Sequence, residues 1–146
     1  LGDKKAGGTT QIITNFEWTL DHVLNLFGTK LKFIFVERNP IDIVASYAYY
    51  MKQKPSQFHV DRYIENRQTS LKVKQTVDQN QWLHIRQNDF IFNPNSNLSK
   101  IFHFLNLEDN ENLNSYLSGY VRTNIKSKSN IINIPEHFKT QLLPYL

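Results

Sequence analysis

Arg38, Asn39, Pro40, Asp42 and Ser46 are the residues of this chain whose types and spacing best suit chemistry. They follow the apolar run Phe33-Ile34-Phe35-Val36, which is rich in aromatic and β-branched residues, as a central strand is. Asn39 can cap a helix through its side-chain oxygen. Pro40 then takes the first helical position, where its missing N–H costs nothing. Asp42 takes the third, with its charge toward the positive end of the helix dipole. Ser46 lies roughly two turns beyond Asn39, hence on the same helix face. Arg38 stands at the carboxyl end of the strand, where open α/β sheets bind their ligands. A guanidinium beside a helix N-terminus is a good phosphate receptor. Arg38, the Ser46 hydroxyl and backbone amides can therefore hold one anion, and that points to a nucleotide-type ligand. On capping logic alone the same residues also read as a well-capped strand-to-helix turn, with Arg38 paired to a carboxylate and Ser46 idle.

The pattern Arg38-Asn39-Pro40-x-Asp42-x-x-x-Ser46 after an apolar strand resembles the 3′-phosphate motif of PAPS-dependent sulfotransferases. The resemblance implies that Arg38 and Ser46 hold the 3′-phosphate of the donor, 3′-phosphoadenosine-5′-phosphosulfate (PAPS). Downstream, Trp82 to Phe90, Asn93-Pro94 and Leu98 to Leu105 are similar to the family's strand, Arg-x-Glu-Asp-Leu-like turn, proline and closing helix. Asn88, Phe90 and Asn106 stand where the family has glutamate, leucine and glycine. Asn106 still suits a helix C-terminus, because asparagine tolerates the left-handed conformation.

The segment Gly2-Asp3-Lys4-Lys5-Ala6-Gly7-Gly8-Thr9-Thr10 looks like a phosphate loop. Gly8 stands where a Walker A loop needs lysine. It also resembles the family's 5′-phosphosulfate loop with an extra glycine. Yet only about thirty residues separate Lys5 from Arg38, room for one helix and one strand. Gly2-Asp3-Lys4 is similar instead to the family's internal Gly-Glu/Asp-Lys segment. That placement implies Lys4 as the catalytic cation that stabilises charge on the transferring group, with Lys5 as the alternative. It also leads to the expectation of a single domain over 1–146 whose 5′-phosphosulfate loop and N-terminal strand lie upstream of Leu1.

The elements that must position these residues follow from pattern. Phe16 to Phe27 carries a helical stripe that ends at Gly28. Pro40 to about Lys52 is the phosphate-site helix, and its Tyr47, Tyr49 and Tyr50 suit core or cleft. Pro55 to His59 reads as a loop and Asp61 to about Val77 as a long polar helix. The resemblance implies that Arg62 and Arg67 on it border an acidic or sugar acceptor, whereas by residue type alone they suit a solvated face. Leu98 to Leu105 and Glu108 to about Val121 read as helices, and Pro135 to Leu143 as a short one. Between them, Arg122 to Asn130 is basic and without apolar period. The resemblance implies that this stretch closes over the donor's 3′-phosphate through Lys126 or Lys128. His59, His84, His103 and His137 are candidates for a base by residue type only, each expected to be a surface or half-buried histidine.

Composition bounds the rest. A chain of 146 residues suits one domain, and its net charge of +4 suits an anionic ligand without forming a nucleic-acid-binding stripe. With no cysteine there is no disulfide, thiol chemistry or cysteine metal site. No segment reaches the ~18–20 apolar residues of a membrane span. The compartment stays open between Golgi lumen and cytoplasm. The expected fold is α/β: a three-layer, mainly parallel sheet flanked by helices, of the P-loop nucleotide-binding type, in part. The activity that the resemblance implies is transfer of a sulfuryl group from PAPS to a hydroxyl or amine of a carbohydrate, protein or small-molecule acceptor, with no metal. The rival readings are a nucleotide or small-molecule kinase of related fold, needing Mg²⁺, and a non-catalytic interaction domain.

Overall fold

The structure is a computed structural model that describes residues 12–13, 18–108, 111–119 and 127–146. Helix α1 (Trp18–Phe27) leads through a turn at Gly28, where φ is +52°, into strand β1 (Phe33–Glu37). Helices α2 (Pro40–Tyr50) and α3 (Gln57–Thr76) cross over to strand β2 (Trp82–Arg86). Helices α4 (Gln87–Phe92), α5 (Pro94–Phe104), α6 (Glu111–Ser118) and α7 (Glu136–Leu142) complete the order.

The two strands run parallel, pairing Phe33 with Trp82, Phe35 with His84 and Glu37 with Arg86. A helical crossover is what a parallel pair requires. Because side chains alternate, Phe33, Phe35 and Glu37 share a face with Trp82, His84 and Arg86. On it the Phe35 ring stacks on Trp82 at 5.5 Å and lies 5.5 Å from His84. Among the described residues β1 pairs with β2 alone. Ile34 and Val36, on its other face, are exposed because no described element covers them. The described part is thus helix-rich α/β with a small parallel sheet.

Local sequence explains the element ends that matter. Asn39 Oδ1 accepts the amide of Ile41 at 2.9 Å and that of Asp42 at 3.4 Å, and Pro40 follows at the first helical position. Helix α3 begins four residues before its expected start, so Gln57 to His59 is helix rather than loop. The reason is His59. Its Nδ1 accepts from the Ser56 amide at 3.2 Å and from Ser56 Oγ at 2.9 Å, the task a glutamate or glutamine usually performs at that position. Helix α5 likewise starts earlier than its apolar stripe, at Pro94. Asn97 Nδ2 donates to the carbonyls of Asp89 and Asn93, both at 2.9 Å, and fixes that start. Past the end of α5, Asn106 has φ +55°, the left-handed geometry expected of it.

The core joins α2, α3 and α7 through Val44, Ala45, Val60, Tyr63, Ile134, Phe138 and Leu142. Burying such side chains stabilises by about 1.5–3 kcal/mol each, so this contact sets how α2 and α3 stand over the strand ends. Buried Gln81 ties the sheet at its other end. Its Nε2 donates to the carbonyls of Gly28 at 2.9 Å and Leu31 at 3.0 Å, which aligns the starts of both strands.

Candidate functional site

Parallel pairing brings the carboxyl ends of β1 and β2 side by side. There a cleft of about 300 Å³ opens, walled by Glu37, Arg38, Asn39 and Pro40 from one strand end. Arg86, Gln87, Asn88 and Asp89 come from the other, and Tyr145 and Leu146 close it. A second, smaller cavity of about 130 Å³ lies between β1, α2 and α3, lined by Phe35, Ile43, Tyr47, Tyr63, Asn66 and Arg67 among others. Glu37 and Arg38 line both, so these two residues form the partition.

Arg38 is half-buried, and among the described residues its guanidinium has no hydrogen-bond or ion-pair partner. The simple alternative, an arginine neutralised by a neighbouring carboxylate, is therefore not what the site shows. The carboxylate that precedes it in sequence, Glu37, is engaged elsewhere. Its Oε1 accepts from Arg67 Nη2 at 3.1 Å, and its Oε2 lies 3.1 Å from His84 Nε2 and 3.6 Å from Arg86 Nε. Arg67 also lies over the Phe35 ring, 4.9 Å from its centre. A desolvated guanidinium of this kind attracts the ring face while it holds the carboxylate.

Ser46 is buried, at 8 % exposure, and its hydroxyl donates to the Asp42 carbonyl at 2.7 Å. It does not line the 300 Å³ cleft. To donate to an anion the hydroxyl must leave that carbonyl, a bond that serine readily makes one turn back along a helix. Asp42, Ser46 and Tyr49 share one face of α2 by their spacing. Onto this helix comes the 127–130 segment. Ser127 and Ser129 both donate their hydroxyls to Asp42 Oδ1, and Lys128 Nζ sits 4.1 Å above the Tyr49 ring. Lys128 is thus placed on the helix that carries Ser46, with its ammonium on an aromatic face. Lys4, with its alternative Lys5, and Lys126 lie outside the described residues.

Two titrations bear on the walls. Burial pushes the Tyr63 phenol up to about 12, so it stays a protonated donor in the smaller cavity. Burial also holds His59 below the usual histidine value, helped by the charge of Arg62 and opposed by the Ser56 hydrogen bond. His59 is fully buried rather than surface or half-buried as expected, and its Nε2 has no partner among the described residues. Its place at the base of α3 is structural.

The Glu37 cluster was not foreseen. A glutamate that ends an otherwise apolar strand, next to an arginine, was the available signal. Arg67 was expected to meet either an acidic acceptor or solvent, and the structure instead gives it Glu37. Arg62 lies 5.4 Å from the centre of the Tyr47 ring. Among the described residues no group of His, Asp or Glu is arranged to hold a metal, and no helix is long and apolar enough to cross a membrane.

Strand β1, the capped helix α2 and the cleft residues from Glu37 to Asp89 fall inside a match to known sequences. The model of a sulfotransferase family covers residues 11–111, well over half of the chain. The chain belongs to the sulfotransferase family. No curated protein and no solved structure matches it.

Proposed function

We propose that the protein transfers a sulfuryl group from PAPS to a hydroxyl or amine acceptor, on a three-layer P-loop-type sheet of which β1 and β2 are part. The observation that carries this reading is Arg38. A guanidinium without a partner among the described residues stands at the carboxyl end of a parallel strand, beside a helix N-terminus capped by Asn39, in a cleft of about 300 Å³. Membership of the sulfotransferase family supports the reaction class.

In this reading Arg38 and Ser46 hold the donor's 3′-phosphate, and the 127–130 segment brings Lys128 alongside, with Lys126 next to it in sequence. Lys4 is assigned to the charge that develops on the transferring group. The acceptor's oxygen or nitrogen forms the new bond to sulfur while the bond from sulfur to the 5′-phosphate oxygen breaks. PAP, the 3′,5′-bisphosphate, leaves, and the acceptor's proton passes to a base or to water. The protein contributes position and cationic stabilisation of charge.

Calorimetric titration of the full chain with PAP tests the reading, with Mg·ATP as comparator. Binding of PAP in clear preference to Mg·ATP is expected. Preference for Mg·ATP would contradict it and favour a kinase of related fold.

A further inference from the structure

The donor cleft contains a second arginine that the proposed reading does not use. Arg86 ends β2 directly opposite Glu37 in the parallel register, so it leaves the sheet one strand away from Arg38. It lines the same 300 Å³ cleft. Its side chain is 71 % exposed, and among the described residues its one ion-pair contact is Nε to Glu37 Oε2 at 3.6 Å. The terminal nitrogens of the fork, which make paired bonds to phosphate, have no partner among the described residues. Glu37 has little hold on it, because the same carboxylate takes Arg67 and His84 at 3.1 Å. The other carboxylate on the cleft, Asp89, is exposed and makes no ion pair among the described residues.

We propose that Arg86 is a second anion-holding residue of this cleft, which turns from Glu37 onto a phosphate of a nucleoside bisphosphate whose other contact is Arg38. The inference rests on the donor reading above. Its chemistry follows from the two forks. A lone arginine at a strand end holds one phosphate edge, whereas two arginines that leave adjacent parallel strands into one cleft can grip one phosphate from two sides. Glu37 then serves as the resting partner that keeps the Arg86 side chain at the cleft mouth when no ligand is bound. Arg67 and His84 keep that carboxylate in place after Arg86 has left.

Arg86→Ala and Arg86→Lys in the full chain, titrated with PAP, test this. Because Arg86 is exposed, both variants are expected to fold with an unchanged melting temperature. Arg86→Ala is expected to weaken PAP at least tenfold. Arg86→Lys, which keeps the charge and loses the fork, should fall between it and the parent. Parent and Arg86→Ala binding PAP equally well would overturn the inference and leave the donor reading standing. A parent that does not bind PAP would overturn both. Phenylglyoxal modification of the unaltered protein, read by peptide mass spectrometry, supplies the second measurement. PAP is expected to protect Arg86 from modification along with Arg38. Protection of Arg38 with none at Arg86 would overturn the role of Arg86 alone.

Discussion

Arg67 Nη2 donates to Glu37 Oε1 at 3.1 Å, which ties the middle of α3 to the last residue of β1. The bond spans thirty residues of sequence and fixes the partition between the two cavities. Both side chains are largely shielded, at 19 % and 24 % exposure. Without Arg67, Glu37 keeps only the histidine and a distant second arginine. Arg67→Ala is therefore expected to destabilise the fold by about 1–3 kcal/mol, as for loss of a partner from a shielded charged pair. Arg67→Lys, which keeps charge but not the stacking on Phe35, should cost less. Urea midpoints measure both. An Arg67→Ala midpoint equal to that of the parent would show that the pair contributes nothing.

Asn39 has a narrower task. It satisfies two amides at the start of α2, and the same helix start faces the cleft. Asn39→Ala should lower stability by about 1 kcal/mol, and Asn39→Ser should recover most of it. Thermal melts of the two variants decide this. Equal losses in both would mean that the oxygen cap is not the cause.

His59 gives a pH dependence whose sign is fixed by its burial. In the folded chain its pKa is held below the ordinary value of about 6.5. The unfolded chain therefore takes up the proton first as pH falls. The stability due to neutral His59 is complete above about pH 6.5 and is lost as pH drops through the folded-state value. Protonation also removes the lone pair that accepts from the Ser56 amide, so α3 loosens at its start. His59→Gln retains an acceptor at this helix position and carries no titration. Melting temperatures between pH 8 and 5 should fall more steeply for the parent than for His59→Gln. Parallel curves would refute the assignment.

Asp42 anchors the late segment to α2 by accepting from Ser127 and Ser129. Asp42→Ala is expected to release that anchor and speed tryptic cleavage after Lys128. Asp42→Asn, which still presents an acceptor oxygen, should be intermediate. Cleavage rates by mass spectrometry give the answer, and an unchanged rate in Asp42→Ala would mean that other contacts hold the segment.

The parts of the site legible in the sequence are those written locally. The apolar run of β1, the Asn39 cap and Pro40 are each set by residues within one helical turn, and all three stand as read. The start of α3 was missed because His59 takes a capping role that residue type alone does not announce. Which described elements flank β1 is not written in its own residues, for a different reason. An apolar run says that a strand can be buried, while only neighbouring strands decide whether it is. Glu37, Arg67, His84 and Arg86 come from three elements and meet only after β1 and β2 pair in register. No spacing along the chain encodes that meeting. For Ser46 the position was legible and the resting state was not, since its hydroxyl has a competing carbonyl one turn away.

The central claim is that Arg38 recognises a 3′-phosphate, and a thermodynamic cycle tests it most directly. Calorimetric affinities for PAP and for its 3′-dephosphorylated counterpart are measured on the parent and on Arg38→Ala. The account predicts that the parent prefers PAP strongly and that Arg38→Ala binds the two nucleotides about equally, so the preference disappears with the guanidinium. An Arg38→Ala protein that keeps the parent's preference for the 3′-phosphate would contradict it.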